Sequence, residues 1–284
     1  MTEQTRLAMG DDGRHPPIVL ITGGSAGIGL EAAKRFHAAG AYLILIGRDR
    51  GRLQAARDTL GVRVDTISAD IGCRDDLDRI AAHIDTTYGR LDALVNNAGF
   101  HERGPFAHID AVDAARMVAV NLEAPIYLTR VLLDLLLKSH GHIINVASLA
   151  GRLPVPGSAT YGATKFGLRA WSLALGDELR AAGVRVSCVS PGPVDTQFIM
   201  NHIDSVSDIT FSQPVVKPER VASAIFHCYK QGGDEICVPQ RTRYLTTVGY
   251  LFPSIRRMLR PLLERKGAKK KKRLKQARAP SREP

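Results

Sequence analysis

The chain has 284 residues and 44% hydrophobic content, enough for one large domain with a substantial core. No stretch reaches the roughly 18–20 continuous apolar residues of a membrane-spanning helix. The four cysteines, Cys73, Cys188, Cys228 and Cys237, form no CxxC pair, which argues against a disulfide frame or zinc site and for reduced thiols in the cytoplasm. The formal charge of +11 is unevenly held: Arg241 onward carries 15 of the 39 Lys+Arg and 2 of the 28 Asp+Glu, leaving 24 basic and 26 acidic groups before it. Any anionic partner therefore belongs to the C-terminal piece.

Residues 1–15 lack the apolar run of a secretory signal and read as a flexible lead-in. "PPIVLITGGSAGIGLEAAKRFHAAGAYLILIGRD" then reads strand, glycine turn, helix, strand. Ile18 to Ile21 is a short apolar run, Leu30, Ala33 and Phe36 make a helical stripe, Gly40 ends it, and Tyr42 to Ile46 form the next run. Similar runs recur at 62–67, 93–95, 142–146 and 184–189, separated by helical patterns over 75–88, 110–138 and 159–182. "KPERVASAIFHCYKQ" is one more helix, followed by a last strand, "EICVP". Strands alternating with helices predict βαβ units and a parallel sheet covered on both faces, an α/β fold. Residues 193–217 are poorly periodic and read as a loop or small lid over the site. The expected organisation is a single dinucleotide-binding domain over 16–240, an amphipathic extension over 241–266 and a disordered polybasic tail over 267–284.

"TGGSAGIG" lies directly between a strand and a helix, where Gly23, Gly27 and Gly29 let the backbone turn tightly and approach a pyrophosphate. The N-terminus of the following helix then meets the phosphate charge. In "SATYGATKFG", Tyr161 and Lys165 share a helical face one turn apart, with only small residues between them. A nearby ammonium lowers the pKa of a phenol, which suits Tyr161 to proton transfer. Ser148 ends the strand "HIINVAS", where its hydroxyl is able to hold a substrate oxygen.

With "NNAG" at 96–99 and "PGPVDT" at 191–196, these motifs resemble the short-chain dehydrogenase/reductase family over about residues 16–240. The resemblance implies a Rossmann-type doubly wound sheet and a nicotinamide cofactor contacted by Gly23, Ser25, Gly27, Ile28 and Gly29. Asp70 and Ile71 would border the adenine, and Asn97, Ala98 and Gly99 the inner ribose. Pro191, Gly192, Val194 and Thr196 belong to the same implied site. Lys165 would hold the nicotinamide ribose hydroxyls beside Tyr161, and Asn121 would anchor a water in a proton relay to that lysine. The second strand ends in Gly47 followed by Arg48, with no carboxylate in the usual place to accept from a free 2′-hydroxyl. A guanidinium there favours a 2′-phosphate, hence NADP(H), with NAD(H) left open. Asp49 comes one position too late, and Ala26 replaces the family's other basic determinant.

The expected activity is interconversion of a ketone and a secondary alcohol, with catalytic Asn121, Ser148, Tyr161 and Lys165 and an apolar substrate under the 193–217 loop. The other reading is a non-catalytic NADP(H)-binding module that scaffolds or senses through its tail. The histidines have no ligand spacing such as HxxxH, so no metal site is read; His140 and His142 read as loop residues. A homodimer or homotetramer through helices 110–138 and 159–182 is implied by the resemblance. In the C-terminal piece, Ile255, Met258, Leu259 and Leu262 fit one helical face ahead of "ERKGAKKKKRLKQAR". That pairing suits peripheral contact with an anionic membrane through 244–278, against packing on the body with a solvated tail. The basic run has no interleaved aromatics, so specific nucleic-acid binding is not expected.

Overall fold

The computed structural model describes residues 15–278; the expected lead-in, except for His15, and residues 279–284 of the expected tail lie outside it. Its elements are, in chain order, β1 (Ile18–Thr22), α1 (Gly27–Ala38), β2 (Tyr42–Gly47), α2 (Arg50–Leu60), β3 (Val64–Ser68), α3 (Arg74–Tyr88) and β4 (Ala93–Asn96). There follow α4 (Ala111–Val118), α5 (Ala124–Val131), α6 (Leu133–Ser139), β5 (His142–Val146), α7 (Ala159–Leu179) and β6 (Arg185–Pro191). The chain continues through α8 (Gln197–Met200), α9 (Pro218–Gln231), β7 (Glu235–Val238), α10 (Thr242–Leu251) and α11 (Pro253–Arg278). All seven strands pair in parallel in the order β3-β2-β1-β4-β5-β6-β7.

The continuous apolar strands follow from burial on both sheet faces. Val19 and Ile21 of β1 enter one core with Phe36 of α1, Leu53 of α2 and Ile225 of α9. Ile18 and Leu20 enter the other with Ile80 of α3, Leu128 of α5 and Leu136 of α6. Phe36 meets Phe226 and Tyr229 edge-on, with ring centroids 5.3 and 5.0 Å apart, which locks α1 to α9. The strand order reverses beside β1, whose two neighbours are β2 and β4. Chains leaving these strands diverge there and leave a crevice at their C-terminal ends.

The single helix expected over 110–138 is interrupted twice. A π-helical turn spans Ala119–Glu123 between α4 and α5, and Leu132 leaves helical geometry between α5 and α6 at φ −97°, ψ 1°. His142 is not a loop residue: it is fully buried at the start of β5, its Nε2 2.8 Å from Ser187 Oγ. His140 does belong to the connection, capping α6 with φ 49°.

The expectation of disorder from residue 267 is corrected for 267–278, which continue α11. The reason is that the lysines find acceptors on the 204–213 segment. Lys270 Nζ donates to the Gln213 carbonyl at 2.9 Å and Lys271 Nζ to that of Val206 at 2.7 Å. Lys271 also pairs with Asp208 at 3.2 Å, and Lys275 with Asp204. Gly267 makes this approach feasible: a Cβ there would stand 1.8 Å from the Asp208 carbonyl oxygen.

Upstream, Arg152 ties α10 to the body, donating to Thr246 Oγ1 at 3.1 Å and Thr247 Oγ1 at 3.0 Å while also pairing with buried Glu235. Arg169 of α7 forks onto the same carboxylate with two 2.8 Å bonds. Burial works to raise the Glu235 pKa, but the two guanidiniums outweigh it and hold it at about 2.

Candidate active site

The glycine turn leaves β1 with its backbone in the left-handed region at Gly23 (φ 64°) and Gly27 (φ 53°), which a side chain would strain. Gly29 faces inward: its Cβ would lie 2.1 Å from the Gly23 carbonyl oxygen, so its absence lets α1 press against the turn. Ala26 caps α1 without a side-chain acceptor, so the first helical N–H groups are left for an anion. Thr22 Oγ1 accepts from the Asn97 and Ala98 backbone N–H groups at 3.0 and 3.1 Å, and Asn97 Nδ2 donates to the Thr22 carbonyl at 2.9 Å. The ends of β1 and β4 are thereby held in register beneath the turn.

These elements wall a cleft of about 2080 Å³, larger than the roughly 300–1,000 Å³ of a site for one small ligand. Gly23, Ser25, Gly27, Ile28, Arg48, Asp70, Ile71 and Asn97 to Gly99 all line it, as do Ser148, Tyr161, Lys165, Pro191, Gly192, Val194 and Thr196. The uncapped helix end, the missing Cβ atoms and this size fit a dinucleotide together with a second molecule. Gly29 and Asn121, though expected at the site, do not line the cleft. Arg48 projects from the end of β2, and Asp49 and Arg52 line the cleft beside it, with the Asp49 carboxylate accepting from Arg52 N at 3.0 Å to cap α2 and pairing with the Arg52 side chain at 3.3 Å. The Asp70 carboxylate accepts from Gly72 N at 3.0 Å and from Arg116 at 3.0 Å.

Tyr161 sits in the first turn of α7, which starts opposite the end of β5. Ser148 Oγ accepts from Ala150 N at 3.1 Å, and its hydroxyl is near enough to the phenol to favour the ionised form. Lys165, buried one turn on, donates from Nζ to the Val146 carbonyl at 2.9 Å and lies 5.8 Å from the Tyr161 ring centroid. Burial pushes the Lys165 pKa down to about 8. The expected lowering of the Tyr161 pKa is not found. Burial raises it, opposed by the nearby Ser148 hydroxyl and by the Arg103 charge; the lysine turns its ammonium to a carbonyl beside the ring.

Asn121 lies in the π-helical turn, fully buried. Its amide closes a pair with the Phe100 backbone, accepting from N at 2.8 Å and donating to O at 2.7 Å. It therefore shapes the 99–100 loop from behind, its oxygen standing 3.3 Å from where a Gly99 Cβ would be. π-turns inserted in helices recur at functional sites because they re-aim one residue.

Two neighbours of the phenol escaped the sequence reading. His101 stacks flat on Tyr161, with centroids 3.9 Å apart and planes 10° from parallel. Burial, with the Arg103 and Lys165 charges, drives its pKa down to about 3, so the ring is neutral; its Nε2 is buried without a partner. Arg103 lies 4.9 Å from the Phe198 ring centroid and donates to the carbonyls of His101 and Phe198 at 3.2 and 3.0 Å, joining the lid to the β4 loop. Their position just after "NNAG" was the available signal. Arg256, Arg257, Arg260 and Leu263 of α11 also line the cleft, which no local pattern announced.

A dinucleotide cradle at the switch of a parallel sheet, opening beside a serine, a tyrosine and a buried lysine, defines an oxidoreductase of the nucleotide-dependent α/β class. More narrowly, the family model for short chain dehydrogenase matches residues 17–206, and the chain belongs to that family. It is similar to the NADP-dependent 3-hydroxy acid dehydrogenase YdfG of Salmonella typhi, with 40% identity over 179 residues, 62% of this chain and 72% of that protein. The protein of the same name from Escherichia coli K12 is 35% identical over 216 residues, 74% of this chain and 87% of that one. Among solved structures, a metagenomic short-chain oxidoreductase in complex with NADP superposes with a TM-score of 0.67 at 30% identity, over 78% of this chain and 96% of that one.

Proposed function

We propose that this protein is an NADP(H)-dependent reductase that interconverts an apolar ketone and a secondary alcohol. The observation that carries the reading is Tyr161, stacked on His101, with Ser148 and buried Lys165 gathered in one cleft large enough for two molecules. NADP specificity is supported by Arg48 at the end of β2, by Asp49 being spent on the α2 cap, and by the NADP named for the relatives. When bound, the cofactor supplies a hydride to the carbonyl carbon. The Ser148 hydroxyl holds the carbonyl oxygen, and the Tyr161 hydroxyl donates its proton to that oxygen as negative charge develops there. A phenol with its ordinary pKa near 10 is already protonated at neutral pH, and burial shifts Tyr161 further in that direction, which suits reduction. Lys165 would hold the cofactor ribose hydroxyls, and Asn121 keeps Gly99 and Phe100 in place through its amide pair. The stacked, neutral His101 limits the phenol's freedom to swing.

The substrate class is supported by the lid. Phe198, Ile199 and Ile209 face the cleft from residues 193–217, opposite Leu153, Val155 and Phe166. Assembly as a homodimer or homotetramer is supported by Val118, Ile126 and Val131, exposed large apolar side chains on and beside α4 and α5. A cytoplasmic setting is supported by four free thiols, three of them buried. Among the described residues no helix is long and apolar enough to cross a membrane.

The test is NADPH oxidation with a panel of ketones. Tyr161→Phe keeps the ring and its stack on His101 but removes the proton donor. Turnover should fall by about 10²–10⁴ while NADPH binding survives; near-normal turnover would remove Tyr161 from the mechanism.

A further inference from the structure

We propose that the outward faces of α10 and α11 dock this protein on an anionic lipid surface. The two faces of α11 have different tasks. Its inward face carries Arg256, Arg260 and Leu263 along the cleft, then Gly267, Lys270 and Lys271 against the 204–213 segment. At 100° per residue, Ile255, Met258, Leu259 and Leu262 share the opposite face, and Arg265, Lys266, Lys269 and Arg273 continue it toward the C-terminus. All eight of these side chains are exposed. The outward face is thus apolar for its first turns and cationic for the rest.

α10 repeats the pattern: Thr242 and Thr246 are buried, while Tyr244, Leu245, Val248 and Leu251 are exposed along the opposite stripe. Among the described residues, 10 of the 17 exposed large apolar side chains fall between Tyr244 and Leu262. A soluble chain rarely concentrates its exposed apolar surface in this way unless something covers it. Charge identifies the occupant. The only carboxylate between 241 and 278 is Glu264, and it is bonded to Arg260 at 2.6 Å. A second copy of the same surface offers these cations no partner, and a nucleic acid gives the apolar stripe nothing to enter. Anionic headgroups over acyl chains satisfy both halves.

The docking goes beyond the reductase reading and does not depend on it, because flotation needs no turnover. The probe is the full chain with phosphatidylserine–phosphatidylcholine vesicles, compared with phosphatidylcholine alone. We expect retention by the anionic vesicles at low salt and release at high salt. The variant Y244S/L251S/M258S/L262S, and separately R265E/K266E/K269E, should each cut retention about tenfold or more. None of these seven residues lines the cleft, so reduction of a small soluble ketone should persist in both variants and report that they fold. Absence of wild-type retention at low salt overturns the proposal. So does undiminished retention of the apolar variant, which would mean attraction to any polyanion. Loss of a dimer on gel filtration with unchanged flotation would make a second copy the occupant instead.

Discussion

Arg48 and Lys165 show how differently single residues announce themselves. Arg48 follows from position alone, being the first side chain after β2, and its flanking Asp49 is tied to the α2 cap. Arg48→Ala should weaken NADPH binding by about 1.5–3 kcal/mol, the value of a charge-assisted contact, and leave NADH nearly unaffected in a fluorescence titration. Equal losses would mean that it does not read the phosphate. The place of Lys165 beside Tyr161 was legible from the i, i+4 spacing, but its energetics come from burial. Its pKa falls from 10.5 to about 8, so between those values the unfolded chain holds a proton that the native protein has released. Stability therefore rises with pH across that window, and below pH 8 the buried charge costs on the order of 3 kcal/mol. In urea melts, Lys165→Met should gain on the wild type at pH 7, and that gain should shrink as the pH approaches 10.5. Parallel stability curves would refute this assignment. His101 had no such signal, because stacking on Tyr161 depends on how the loop after β4 returns across the start of α7.

At the scale of elements, periodicity located all seven strands and most helices, since each buries an apolar face whose spacing is local. It missed the π-turn at Ala119–Glu123, where the helical repeat continues while one residue is added to the turn. It also misjudged 267–278, whose charge suits disorder only while the lysines lack partners. Lys270 and Lys271 instead hold the lid's 206–213 portion by its carbonyls, and the lid's base is held by the Val194–Val216 bridge. Lids held by a few polar bonds set substrate capture. The double substitution of Lys270 and Lys271 by Ala should raise KM for an apolar ketone about tenfold, through loss of charge-assisted bonds, with dinucleotide affinity nearly unchanged. An unaltered KM would show that α11 packs against the lid without restraining it.

For the whole molecule, the class of fold, the dinucleotide cradle and the Ser148, Tyr161 and Lys165 constellation were determined by the sequence itself. Each rests on short-range physics: alternation of buried strands and amphipathic helices, glycines where the backbone must turn left-handed, a pair at i and i+4 on one helix. What joins distant segments was decided only by the tertiary structure. Glu235 gathers Arg152 and Arg169 across more than 60 positions of sequence, and α11 returns to line the cleft and grip a lid more than 50 residues upstream. The direction of the phenol's pKa belongs to the same group, because it depends on how completely surrounding chain removes the ring from water. Desolvation, ion pairing and close approach depend on three-dimensional proximity, and no local pattern encodes which distant segment will supply it.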